Sequence, residues 1–344
     1  MRVLLTGSAG FIGSAVGRAL EAAGDEVVRV DLMTADAHGT TPPPAGTHVL
    51  DVRDAPAWPD LLRGVDAVCH QAALVGLGVR VGDLPAYASH NDLGTAALLA
   101  AMHDSAVTRL VLASSMVVYG EGRYACAEHG EQAPGMRSEG DLRAGRFDNP
   151  CPVCDRPLGW RTVSEDTPLD PRSSYAASKV AQEHYASAWA RQAGGAVAAL
   201  RYHNVYGPGM PRDTPYSGVA AMFRSAVARG EPPTVFEDGG QMRDFVHVED
   251  VARANLLALR SVVVAPTGAS TAYNVCSGQP VSIRDVAVAV AGPGPEPVVT
   301  GDYRLGDVRH IVASPERAAR DLGFRAEVSP DEGLARFATD PLRR

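Results

Sequence analysis

Two residues that could do chemistry together sit four apart in the segment YAASK: Tyr175 and Lys179, the latter the single lysine among 32 basic residues in a chain of 344. Residues four apart share one face of a helix. An ammonium beside a phenol favours the phenolate, so the spacing predicts a tyrosine whose pKa falls from about 10 toward neutrality and which transfers protons. An arginine could not replace a compact ammonium there, which fits a chain whose other basic residues are all arginine. Ser115 closes the apolar run RLVLASS, at the carboxyl end of an expected strand, where ligands bind in open α/β sheets. Its hydroxyl is suited to orient a reacting oxygen. Taken alone, a Tyr and Lys at this spacing would be an ordinary solvated pair; other features of the chain argue against that reading.

The strongest of these is TGSAGFIG, where Gly7, Gly10 and Gly13 lie between an expected strand and an expected helix, with Phe11 and Ile12 between the last two glycines. Glycines there let backbone amides approach a pyrophosphate, and the helix N-terminus supplies free N–H donors and partial positive charge. Asp31 ends the next strand-like run, placed to accept hydrogen bonds from the adenosine ribose and to repel a 2′-phosphate. No arginine follows it in LMTAD, so NAD is expected rather than NADP.

A different constellation lies at Cys126-x-x-His129 and Cys151-x-x-Cys154, two pairs separated by 21 residues. Together they supply four soft or borderline ligands, the set for a closed tetrahedral zinc site. The surrounding segment, residues 121 to 165, shows no clear periodicity and little apolar content, so its order is expected to come from metal. A nucleic-acid-binding zinc ribbon is disfavoured by its eight acidic residues against six arginines. Cys69 and Cys276 lie in apolar runs and read as buried packing groups, and His247 as a structural histidine.

The elements that must hold these residues alternate. RVLLTG and EVVRVDL flank the helical pattern FIGSAVGRALEAAG, a β-α-β unit; strand-like DAVCHQAA, RLVLASS and AVAALRYHN follow, with helical stretches near residues 91 to 106 and 175 to 193. This predicts an α/β protein with a Rossmann-type, doubly wound parallel sheet. The dinucleotide-binding domain is expected over 1–205, interrupted by the insertion at 121–165. A smaller substrate lobe is expected over 206–344, with room for the chain to cross back; VARANLLALR and IRDVAVAVA are its helices. The net charge of −8 offers no general attraction to nucleic acid or anionic membranes. No apolar run approaches a membrane span and the N-terminus lacks a signal-peptide core, so a cytoplasmic protein is expected.

TGSAGFIG, ASSMVVYG, YAASK, RYHNVYGPG and RDFVHVEDVA, in that order, resemble the extended short-chain dehydrogenase/reductase family, within it the nucleotide-sugar epimerases and dehydratases. The resemblance implies Ser115, Tyr175 and Lys179 as the catalytic set, with Tyr175 as base. It implies adenine contacts from Asp51 and Val52, a cofactor cleft along Ala72, Ala73 and Asn91, and His203 at the nicotinamide. Asn204, Arg243 and Arg304 match positions holding the diphosphate of the sugar substrate, a task suited to the guanidinium fork. Met116 and Val117 stand where the 4,6-dehydratases carry an Asp-Glu pair, so no acid/base pair remains there to eliminate water. Hence a 4-epimerase of a dTDP- or UDP-hexose is expected, working through a transient ketone. The segment around MPRDTPYSG resembles bacterial dTDP-L-rhamnose 4-epimerases and related deoxysugar enzymes. A net ketoreductase or dehydrogenase using the same residues, and a dinucleotide-binding protein without catalysis, stay open at this point. The family also suggests a homodimer packed through the helices near residues 91 to 106 and 175 to 193.

Overall fold

The computed structural model describes residues 1–78, 80–212 and 218–343. Residues 213–217, inside the segment around MPRDTPYSG, lie outside the described residues.

Seven strands form one parallel sheet in the order Ser270–Val275, Ala196–Tyr202, Arg109–Ser115, Ala67–His70, Arg2–Thr6, Glu26–Asp31, Thr47–Val49. The side-chain period of two divides these strands between two cores. Val3 and Leu5 pack with Val16 and Leu20 of the helix Phe11–Ala22 and with Val251 and Leu259 of the helix Val248–Val264. Leu4 faces the other way, onto Leu98 and Met102 of the helix Gly94–Asp104 and Trp189 of the helix Ser174–Ala193. Cover on both faces explains why these strands are nearly continuous apolar runs; every residue of Ala196–Tyr202 is buried.

The chain does cross back: after residue 205 it returns to the main sheet, and Ser270–Val275 pairs with Ala196–Tyr202. Other C-terminal residues build a separate core around Tyr206, Phe223, Phe245, Val286 and Phe337, while the helix Val248–Val264 and Ala318, Leu322 and Phe324 pack on the main sheet. The sheet of that separate core pairs Asn204–Tyr206 with Met242–His247 in parallel, and the latter with Pro280–Ser282 antiparallel. The expected helix near residues 91 to 106 is a π turn over Ala88–Leu93 running into the helix Gly94–Asp104.

The insertion corrects one expectation. It is not an irregular loop: Arg123–Cys126 pairs antiparallel with both Gly130–Gln132 and Gly159–Arg161, and a short helix spans Glu139–Arg143. Strands of three and four residues are too short to show alternation in sequence. Tyr124, Cys126, Cys151 and Leu158 form its small core. Among the described residues no helix is long and apolar enough to cross a membrane.

The helix Ser174–Ala193 starts where Ser173 Oγ accepts from the Ala176 amide at 3.1 Å and ends at Gly194 in the left-handed conformation, φ 64°. Its Glu183 is fixed by a two-pronged pair with Arg201, Nε–Oε1 2.9 Å and NH2–Oε2 2.7 Å, and accepts a further bond from Ser114. Arg201 also donates to Tyr119 Oη at 2.8 Å and to the Glu165 carbonyl at 3.0 Å. Both members of the pair are buried, so removing one leaves an uncompensated charge. Arg201→Leu is expected to cost about 3–5 kcal/mol of stability in urea unfolding. The double variant Arg201→Leu/Glu183→Gln should recover part of that loss, and an unchanged midpoint in the single variant would refute the assignment.

Candidate active site and metal centre

The carboxyl ends of the central strands open into a cavity of about 600 Å³. Its floor is the glycine loop. Gly7 has φ 65°, and a Cβ there would lie 2.7 Å from the Ala72 amide nitrogen; a Cβ on Gly13 would lie 2.0 Å from the Gly7 carbonyl oxygen. Neither position admits a side chain, because backbone meets backbone. Thr6 Oγ1, 2.7 Å from His70 Nδ1, accepts from the Ala72 amide at 3.2 Å and so fixes Ala72 and Ala73 along the cleft. Burial, with the charge of Lys179, pushes His70 down to about 3, so its ring is neutral between Thr6 and Thr95.

Gly7, Gly10, Phe11, Ile12, Gly13, Asp31, Asp51, Val52, Ala72, Ala73, Ser115, Tyr175, Lys179, His203 and Asn204 all line this one cavity. Asp31 accepts from the Ala9 and Met33 amides, each at 2.9 Å, and lies 3.2 Å from His38 Nε2. Burial raises its carboxyl, but the bonds from His38 and the two amides outweigh burial and hold it below the usual carboxylate range. Asp51 lines the wall while pairing with Arg53. Asn91 stands behind the wall: its amide accepts from Leu74 N at 2.7 Å and donates to Leu74 O at 3.0 Å and Ser178 Oγ at 2.8 Å, holding the cleft loop against the helix Ser174–Ala193.

At the inner end Ser115, whose Oγ accepts from the Val117 amide at 3.4 Å, stands close enough to the Tyr175 phenol to oppose the rise of its pKa. Lys179 Nζ donates to the Ala113 carbonyl at 2.9 Å and stands 5.9 Å from the centre of the Tyr175 ring. The expected direction for the tyrosine is overturned here. Burial drives the Tyr175 pKa up, Ser115 only partly opposing it, while burial brings Lys179 down to about 7, with Glu183 opposing. The desolvation that keeps Tyr175 protonated also weakens the charge meant to ionise it. Met116, in the 3-10 turn Met116–Tyr119 that follows Ser115, adds an apolar wall.

His203 is buried, and burial with the Arg243 charge pushes it down to about 3. Among the described residues, neither of its ring nitrogens nor Asn204 Oδ1 has a hydrogen-bond partner. Buried polar atoms without partners on a cavity wall suit a polar ligand. Arg243 and Arg304 lie outside the cavity lining. Arg243 donates to the carbonyls of Met242 and Arg309, both at 2.9 Å, and of Val308, while Arg304 lies over the Phe236 ring at 4.8 Å.

Two cavity residues gave no signal in sequence. His38 is a lone histidine in a polar stretch, and Arg343 lies near the chain's end, where its NH1 donates to Ala9 O at 2.7 Å over the glycine loop. Both depend on contacts that span the fold.

The second constellation converges as its spacing predicts. The ligand atoms of Cys126, His129, Cys151 and Cys154 lie within 4.8 Å of one another. Cys126 Sγ is 3.7 Å from Cys154 Sγ and 3.5 Å from His129 Nδ1, which is 3.7 Å from Cys151 Sγ. A tetrahedron with metal–sulfur arms of about 2.3 Å and metal–nitrogen arms of about 2.0–2.1 Å has edges of roughly 3.6–3.8 Å. Cys69 and Cys276 are fully buried, and His247 accepts from the Glu249 amide at 3.4 Å as a helix cap, so all three are structural.

A parallel α/β sheet with a glycine loop at the first strand end and a Ser, Tyr and Lys gathered beside it is a dinucleotide-binding fold with a proton-transfer group at its inner end. The family model "NAD dependent epimerase/dehydratase family" matches residues 3–138 and 155–276, and the chain belongs to that family. The gap falls within the insertion. A dTDP-L-rhamnose 4-epimerase of Burkholderia thailandensis is 33% identical over 98% of this chain and 94% of its own length. A putative UDP-glucose 4-epimerase of Methanocaldococcus jannaschii is 30% identical over 97% and 96%. Among solved structures, the Thermus thermophilus UDP-glucose 4-epimerase complex with NAD superposes with a TM-score of 0.75 at 32% identity, covering 98% of each chain. MoeE5 in complex with UDP-glucuronic acid and NAD gives 0.74 at 31%, covering 97% of each.

The loop and the unpartnered His203 ring nitrogens fit NAD. Gly13→Ala, which sets a Cβ against the Gly7 carbonyl, is expected to weaken NAD binding by about ten-fold or more, on the order of 1.4 kcal/mol, read by calorimetry. Wild-type affinity in that variant would show that the loop does not carry the cofactor.

Proposed function

We propose that this protein is an NAD-dependent nucleotide-sugar 4-epimerase that acts on a dTDP- or UDP-hexose through a transient 4-keto sugar. The observation that carries the reading is the gathering of Ser115, Tyr175 and Lys179 at the inner end of the cavity, beside Met116 instead of a second acid/base pair. The near full-length likeness to a relative named for dTDP-L-rhamnose makes that sugar nucleotide the first to test.

NAD would be held by the glycine loop, Asp31, Asp51, Val52, Ala72, Ala73 and His203, with Asn91 behind them bracing the cleft loop. When bound, it supplies a hydride acceptor that can return the same hydride, and its oxidised ring brings a positive charge. Tyr175 takes the proton of the sugar hydroxyl and later gives it back. Ser115, beside the phenol, orients the sugar oxygen. Lys179, anchored on the Ala113 carbonyl, adds positive charge that favours the phenolate, in concert with the ring charge that offsets the burial of Tyr175. The neutral His203 offers hydrogen bonds without a competing charge. Asn204, Arg243 and Arg304 hold the substrate's diphosphate; Arg243 would bind with part of its donor set still on the Val308 and Arg309 carbonyls.

The reading includes a structural zinc ion on Cys126, His129, Cys151 and Cys154, which stabilises an insertion with little apolar core of its own. It also includes a cytoplasmic homodimer packed through the helices that expose Leu93 and Tyr185, a state that light scattering measures.

Incubating the purified protein with dTDP-L-rhamnose, UDP-glucose or UDP-galactose without added NAD should yield a C4 epimer, followed by the sugar protons in NMR. Conversion only on addition of a reduced or oxidised cofactor would refute the epimerase. Tyr175→Phe is expected to abolish turnover and to retain bound NAD; a fully active variant would remove Tyr175 from the chemistry. Metal analysis should find one zinc per chain, lost in Cys151→Ser/Cys154→Ser, and a metal-free wild type would contradict the staple.

A further inference from the structure

The insertion does more than ride on the surface. Its inner face grips residues 307–310, the backbone on which Arg243 is fastened. From the insertion, Arg137 NH2 donates to the Asp307 carbonyl at 2.7 Å and pairs with Glu237 at 2.8 Å, their side chains only 4% and 3% exposed. Tyr124 Oη accepts from the His310 amide at 2.9 Å, and Asp148 pairs with Arg309 Nε at 2.9 Å. Glu121, at the insertion's root, accepts from the Arg309 amide at 3.1 Å and from Asn149 Nδ2 at 3.2 Å. Arg243, near enough to Tyr124 and Glu121 to interact with them electrostatically, donates to the carbonyls of Val308 and Arg309. The segment is therefore held by both the insertion and the arginine.

This hold is coupled to the four-ligand site by chain proximity and packing. Tyr124 lies two residues before Cys126, and Asn149 two before Cys151, and Tyr124, Cys126 and Cys151 share the insertion's small core. With so little apolar surface buried there, the relative position of these two anchors is set by whatever joins the cysteines.

We infer that the metal-held insertion is part of the substrate-binding apparatus: by fixing residues 307–310 it positions Arg243, so that metal loading sets the affinity for the nucleoside diphosphate of the sugar while leaving the NAD cavity intact. This rests on the assignment of Arg243 to the diphosphate under the proposed function. No insertion residue lines the NAD cavity, so the two affinities separate.

The full-length protein is titrated with dTDP and with UDP by calorimetry, zinc-loaded and after stripping with a chelator, with bound NAD quantified in each. The double variant Tyr124→Phe/Asp148→Asn, which keeps all four metal ligands, is measured alongside, with Arg243→Ala as the reference for lost diphosphate binding. Stripping and the double variant are each expected to raise the Kd by about ten-fold, with KM rising likewise, kcat changing far less, and NAD content unchanged. Wild-type nucleotide affinity in the zinc-replete double variant overturns the inference and leaves the epimerase reading standing. If stripping unfolds the protein, as circular dichroism would reveal, the double variant decides. A parallel loss of bound NAD or of kcat would mark a general structural role and overturn the inference as well. Failure of the wild type to bind either nucleotide overturns both readings.

Discussion

The inner face of the helix Ser174–Ala193 buries a lysine and a glutamate against the carboxyl ends of the sheet, and the arrangement of the site depends on how those two charges are satisfied. Buried charges persist only when paired or hydrogen-bonded. Glu183 meets Arg201 from the neighbouring strand and the hydroxyl of Ser114, while Lys179 meets a strand carbonyl at Ala113. These bonds lock the helix to the strands Arg109–Ser115 and Ala196–Tyr202, so its rotation cannot drift. Tyr175, one turn before Lys179, therefore faces Ser115. A pair that looks like structural electrostatics is what brings serine and tyrosine into contact.

Backbone does most of the cofactor-side work, and this shapes which residues the cavity can tolerate. The loop at Gly7 and Gly13 leaves no room for a Cβ, and the free amides at the start of the helix Phe11–Ala22 are donors of the kind that suits an anion. Asp31 is held ionised by two amides and by His38, a fixed negative group that favours ribose hydroxyls over a 2′-phosphate. Two buried imidazoles are neutral: His70 and His203, both pushed to about 3. Neutral rings keep competing cations out of a region where Lys179 is already costly to charge.

What could be read in the chain followed from local rules, and what could not followed from packing across it. Strand and helix alternation, the glycine spacing, the four-residue step from Tyr175 to Lys179 and the two Cys/His pairs are each local, and each appears in the structure where its spacing places it. The ionisation of Tyr175 was misjudged because spacing gives proximity but not burial, and at this site burial outweighs the neighbouring ammonium. The short strands of the insertion carried too few residues to alternate. Asn91 and Arg243 lie outside the cavity lining, and their hydrogen bonds go to Leu74 and to residues 308–309. Partners that distant in sequence leave no periodic trace, and neither do those of Arg343 and His38.

The insertion shows how such a fold acquires a part without disturbing its core. Lying between the strand that ends at Ser115 and the helix that carries Tyr175, it would strain both if it drew its stability from the main sheet. Instead its own hydrophobic cluster is small, with four buried side chains of which two are cysteines, and its order is taken up by bonds at two places. One is the ligand cluster, three of whose separations, 3.5–3.7 Å, are close to the edges of a tetrahedral centre. The other is the buried polar seam in which Arg137, Glu237, Arg309, Asp148 and Glu121 satisfy one another and the backbone of residues 307–310. A buried charged seam of this kind is weak as a source of stability but specific in geometry, since each member left unpaired is penalised. Its position beside Arg243 means that the specificity is exercised on the lobe opposite the cofactor. The division is one between a glycine loop whose backbone leaves no room for side chains and a charged seam braced from the insertion, so each can be satisfied without the other.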